Sequence, residues 1–214
     1  MARISVLGGT GYGGSAVVGE GARRGHDVTA FSRTAPQEPV RGVTYMTASV
    51  LDPEVLARAV AGADIVFEAL SPRGDMAGKV EKVFDELVAL AEKSGTRLGV
   101  LGGASSLLVS AGGPRLLDVD PPTPEVRPEV ELGMHKLEML RESPETLDWF
   151  YVSPAAEFGA WVPSAKTGQY RISDEVLLKG PDGKSEISAA DLAIAVLDEI
   201  ERAAHPRRRF HVAH

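Results

Sequence analysis

The residues able to do chemistry gather at a few points of the chain. Gly8, Gly9, Gly11, Gly13 and Gly14 crowd one short stretch that also holds Thr10 and Tyr12. They fit two registers, Gly9-x-Gly11-x-x-Gly14 and Gly8-x-x-Gly11-x-x-Gly14. Either meets one physical demand: a tight turn with positive φ, backbone close enough to touch a pyrophosphate, and a helix start whose unpaired N–H groups face an anion. A second cluster, Ser32-Arg33-Thr34, follows a β-branched run and holds no carboxylate. An acid there would accept from a ribose 2′-hydroxyl, whereas the planar guanidinium of Arg33 suits a 2′-phosphate. Ser32 and Thr34 add hydroxyl donors, and Arg23 or Arg24 adds charge from the preceding helix. The expected cofactor is therefore NADP(H), with NAD(H) as the alternative. Asp52 reads either as an adenine contact or as a helix N-cap, and Ala69-Leu70-Ser71 border the nicotinamide-side ribose by topology.

Candidate catalytic groups come from the second half. Ser105 and Ser106 follow an apolar run at its carboxyl end, and His135 and Lys136 sit on a helix expected to flank the site. The functional reading has Lys136 touching a ribose or phosphate and a serine hydroxyl orienting the acceptor. The plainer one has Lys136 solvated and His135 paired with Glu131 one turn earlier. Phe158 and Trp161, in a loop, are candidates for an aromatic wall, while Trp149 and Phe150 read as strand core. The remaining histidines show no ligand spacing, so no metal site is expected.

These residues need a scaffold, and the pattern supplies one. Apolar runs at Ile4–Leu7, Asp27–Phe31, Val43–Thr47, Asp64–Leu70, Leu98–Leu101 and Leu147–Val152 alternate with helical stretches, of which 76–94 is the longest and stops at Gly95. Asp52 with Pro53 marks the start of a helix over Asp52–Ala61, and Ser188-x-x-Asp191 opens one to about Ala203. Periodicity fails from Ser105 to Pro128, which reads as a substrate-side flap before a helix at Glu129–Glu142. Residues 153–184 carry turn residues every few positions, suggesting one or two short strands on a minor lobe, and RRRFHVAH reads as an edge strand with Arg207–Arg209 facing solvent. The fold class is α/β: a doubly wound parallel sheet with a small C-terminal substrate-side lobe, one domain over 1–214.

Composition narrows the partners. The 214 residues are 43% hydrophobic, and their formal charge is 23 − 30 = −7. No basic field is available for a phosphate backbone or an anionic leaflet, so nucleic acid and membrane partners are not expected. With no cysteine, disulfides and thiol nucleophiles are excluded. A cytoplasmic monomer or homodimer acting on a small molecule is expected.

The sequence resembles the atypical short-chain dehydrogenase/reductases of the NmrA-like and NADH-flavin reductase group. The resemblance lies in GGTGYGG at 8–14, RGHDVTAFSR at 24–33, LGGASSLLV at 101–109, MHKLEMLRES at 134–143 and TGQYRISDEVLL at 167–178, and it is similar also to biliverdin-IX-beta/flavin reductases. It implies a Rossmann fold, NADP(H) use and a permissive substrate site. One departure matters: the wider superfamily pairs a catalytic tyrosine with a lysine four residues later, and four residues before Lys136 stands Leu132. The resulting expectation is an NAD(P)H-dependent oxidoreductase passing hydride to a flavin or quinone-like acceptor. The alternatives are a non-catalytic NADP-binding sensor of NmrA type and a sugar-nucleotide epimerase or dehydratase.

Overall fold

A computed structural model describes residues 1–162 and 164–214; Pro163, inside the turn-rich stretch, lies outside the described residues. The order is β1 (Arg3–Leu7), α1 (Tyr12–Arg23), β2 (Asp27–Ser32), β3 (Thr44–Thr47), α2 (Pro53–Val60), β4 (Ile65–Glu68) and a 3-10 turn (Gly74–Met76). Then come α3 (Val80–Ser94), β5 (Arg97–Leu101), the short α4 (Leu116–Val119), α5 (Arg127–Glu142), β6 (Trp149–Ser153), β7 (Arg171–Ser173), α6 (Ala189–Arg202) and β8 (Arg208–Ala213). Start and stop signals act as their chemistry demands. Asp52 Oδ1 accepts from the Glu54 N–H ahead of α2, Gly95 ends α3 with φ 68°, and Ser188 Oγ accepts from the Asp191 N–H to open α6.

The strands form one sheet in the order β3-β2-β1-β4-β5-β6-β8-β7, parallel throughout except for the β7–β8 pair. This is the expected doubly wound arrangement. One apolar layer packs α2, α3 and α5 on one face through Leu56, Phe84, Leu87 and Leu140, and the other packs α1 and α6 on the opposite face through Val17, Val18, Leu192 and Val196. Strand order reverses between β1 and β4, and ligands bind such sheets in the crevice beyond the carboxyl ends at that point.

Two expectations need correction. β8 is not an edge strand: it lies between β6 and β7, and Arg209 is buried rather than solvent-facing. The turn-rich stretch, read as one or two short strands on a minor lobe, yields one strand, β7, and that strand joins this same sheet. The stretch is moored by buried Asp191, whose carboxylate accepts from the N–H groups of Thr167 and Gly168.

Candidate functional site

Two adjoining cavities open at the carboxyl ends of the strands. The larger, about 800 Å³, is lined by Gly8, Thr10, Gly11, Tyr12 and Gly13, by Ser32 and Arg33, and by Ala69, Leu70 and Ser71. The smaller, about 220 Å³, is lined by Ser105, Ser106, Leu132 and Tyr151, and Leu101, Gly102 and Phe158 belong to both walls.

The glycine turn explains the first cavity. Gly8 takes φ 81°, and its carbonyl receives the Gly11 N–H at 2.9 Å, folding the chain from β1 into α1. A Cβ on Gly14 would stand 2.3 Å from the Gly8 carbonyl oxygen, and one on Gly8 would stand 2.6 Å from the Ala69 oxygen. Those two positions serve close packing, which is why Gly14 lies beneath the cavity and not on its wall. Gly11 differs: its φ of −75° suits any residue, and within 4 Å a Cβ there would meet only the Gly8 oxygen, at 3.2 Å. The positive φ belongs to Gly8, in the Gly8-x-x-Gly11-x-x-Gly14 register. No side chain caps α1, and its first turn holds no acid, so its N–H groups face the cavity as an anion site. Such a cradle, where a side chain would fill the space, fits a dinucleotide pyrophosphate.

Other expected cofactor contacts sort by position. Arg33 reaches the wall, where its guanidinium contacts the Asp75 carboxylate from the 3-10 turn. The Ser32 hydroxyl donates to the Thr34 carbonyl at 2.7 Å and so holds the turn. Asp52 is an exposed N-cap, the second of its two readings, and stands just beyond Ala48 and Val50 of the cavity wall. Arg23 and Arg24 are corrected, because they lie at the far end of α1. Both donate to Glu20, and Arg24 reaches Asp198 and Glu201, tying α1 to α6.

On the acceptor side, Lys136 is not solvated. Its ammonium is buried at the wall of the smaller cavity, 2.8 Å from each carboxylate oxygen of Glu68. His135 faces away from both cavities toward α3, with Nε2 3.6 Å from Glu81 and 3.8 Å from Asp85, and does not pair with Glu131. Of the two serines, Ser106 is the one with a charged partner. Its oxygen accepts from Arg209 at 2.7 Å, and Arg209 in turn pairs with Glu175. With a lone pair held by the guanidinium, the Ser106 hydroxyl keeps its proton available toward the cavity.

Tyr151 is the phenol nearest the chemistry, yet it is fully engaged. Its hydroxyl donates to the Gly133 carbonyl at 2.9 Å and accepts from the Gly103 N–H at 3.2 Å, while burial pushes its pKa up to about 12. Phe158 packs against Tyr12 with ring centroids 5.1 Å apart, and Trp161 is 69% exposed under the Arg73 guanidinium, which also donates to Glu129. Trp149 and Phe150 are strand core as expected.

Sequence reasoning passed over Glu68, Asp75 and Arg209. Glu68 did leave a signal, as the lone charge ending the apolar run Ile65-Val66-Phe67. Arg209 left one too, since alternation puts it on the same face as His211.

A family model described as NAD(P)H-binding matches residues 8–203. The chain belongs to this family. The protein is thereby an NAD(P)H-binding member of an oxidoreductase-like family, and the cofactor it takes is a nicotinamide dinucleotide. The uncharacterized protein YwnB of Bacillus subtilis is 33% identical over 213 residues, covering 98% of this chain and 97% of that protein. A Streptococcus pneumoniae structure provisionally named an NADH-flavin reductase is 28% identical with a TM-score of 0.82, covering 100% of this chain and 99% of that one. A Bacteroides thetaiotaomicron structure provisionally named an epimerase is 29% identical with a TM-score of 0.86, covering 100% of this chain and 97% of the other. Among the described residues, no helix is long and apolar enough to cross a membrane.

Proposed function

We propose that the protein is an NADPH-dependent reductase that passes hydride to a flavin or quinone-like acceptor. The carrying observation is the state of the acceptor cavity. It adjoins the cofactor cleft, yet Tyr151 is bonded at both of its hydroxyl functions and Lys136 is committed to Glu68. Leu132 lines the cavity on the helix turn before Lys136. An acceptor whose reduced form solvent can protonate requires no enzymic acid, only placement against the cofactor.

The roles of the chain's residues follow. Gly11 and the start of α1 would hold the pyrophosphate, and Arg33 the 2′-phosphate. When bound, the nicotinamide supplies a hydride. Phe158 and Trp161 would stack on the acceptor ring, and Ser106 would donate to its carbonyl oxygen. The similarity to a protein provisionally named an NADH-flavin reductase supports this reading.

The test is NADPH oxidation with flavin mononucleotide, a quinone and a ketone series across pH ~5–9. Flavin or quinone reduction without an acid limb is expected, with little gain from Leu132→Tyr. Fast ketone reduction with a bell-shaped profile would sink the proposal. Tight NADPH binding without oxidation by any acceptor would favour a nucleotide sensor instead.

A further inference from the structure

Arg33 and Asp75 reach the cofactor cleft from different elements, Arg33 just after β2 and Asp75 on the 3-10 turn after β4, and their charged groups touch. The charged side chains on this wall are Arg33, Arg73, Asp75 and Glu129, and Arg73 already donates to Glu129 at 2.7 Å. Every cation of the wall is thus answered by an acid. We infer that Asp75 is a specificity-determining residue: as counter-ion to Arg33, it competes with the cofactor 2′-phosphate and holds down the preference for NADPH over NADH. The inference rests on the NADPH reading above.

The competition is uneven by physical argument. The Arg33 and Asp75 side chains are 45% and 64% exposed, so their pair is weak. A phosphate with several acceptor oxygens takes the guanidinium from a single carboxylate, but it must first break the existing pair, which subtracts from its affinity. A cofactor with a free 2′-hydroxyl displaces nothing. Asp75 therefore weakens binding of the phosphorylated cofactor selectively.

Calorimetry with adenosine 2′,5′-bisphosphate and adenosine 5′-monophosphate isolates the phosphate from the nicotinamide end. In Asp75→Asn the bisphosphate is expected to bind about two- to fivefold tighter, with the monophosphate unchanged. Asp75→Glu should keep the parent values, and the gain from Asp75→Asn should vanish in an Arg33→Ala background. An equal gain for both nucleotides, or one that survives Arg33→Ala, would overturn the counter-ion role. If Asp75→Asn changes nothing while Arg33→Ala still weakens the bisphosphate, this inference fails and the NADPH reading stands. If Arg33→Ala costs nothing, both fail.

Discussion

Lys136 on α5 and Glu68 at the end of β4 form a buried pair in which Nζ lies 2.8 Å from both carboxylate oxygens. Glu68 Oε1 also accepts from the Leu70 N–H at 2.9 Å. One carboxylate thus joins the helix beside the acceptor cavity to the backbone that lines the cofactor cleft. Breaking such a pair on one side leaves an unanswered buried charge. Lys136→Met should cost about 3–5 kcal/mol in urea unfolding, and adding Glu68→Gln should restore at least half of it. A single variant as stable as the parent would show that the pair holds nothing in place.

The glycine turn separates two kinds of position. Gly11→Val should leave the melting temperature near the parent value and abolish dinucleotide binding, because its side chain enters the cleft rather than the turn. Gly14→Ala drives a Cβ to 2.3 Å from the Gly8 oxygen and should destabilise the fold by about 1–3 kcal/mol. Thermal unfolding and calorimetry on both variants check this, and a folded Gly11→Val that still binds NADP+ would remove the turn from the site.

Ser105 and Ser106 are neighbours in sequence with different backing. Only Ser106 takes a hydrogen bond from buried Arg209 among the described residues. Ser106→Ala should lower kcat/KM for a quinone on the order of tenfold to a hundredfold, as loss of one aligned donor does, while Ser105→Ala should stay near the parent. Equal losses in steady-state kinetics would deny Ser106 this role.

Acid should loosen the α1–α6 contact through Glu20. Hydrogen bonding to Arg23, aided by Arg24, holds its carboxyl at about 2, below its ordinary 4.5. In the folded state Glu20 resists protonation, so its stabilisation is complete above pH 4.5 and is lost as pH falls toward 2. The loss is at most about 3 kcal/mol. Melting temperature measured over pH ~2–6 should drop at the acid end, and Glu20→Gln should flatten part of that drop. Parallel profiles for the two proteins would contradict the linkage.

Where the chain carries local punctuation, the sequence sufficed: Asp52 with Pro53, Gly95 and Ser188 each mark a helix end through bonds within a few residues. The glycine loop was legible for the same reason. Lys136 was not, because its partner lies 68 residues away, and periodicity says nothing of which carboxylate a buried lysine will meet. The i, i+4 rule matched His135 with Glu131, but packing turned the ring toward α3. β7, at three residues, is too short to show alternation, and its place beside β8 was hidden with it.

That short strand has a bearing on how the molecule behaves in company. A sheet border invites other chains to extend it, in proportion to the length of free backbone it presents. β7 closes this border with three residues running against the rest of the sheet, and Arg171 on it turns its guanidinium to the carbonyls of Lys179 and His214. The opposite border, β3, is four residues long. Neither offers a foreign strand much to copy, so both borders of a wide sheet whose middle strands are largely apolar are poor templates for edge-to-edge pairing.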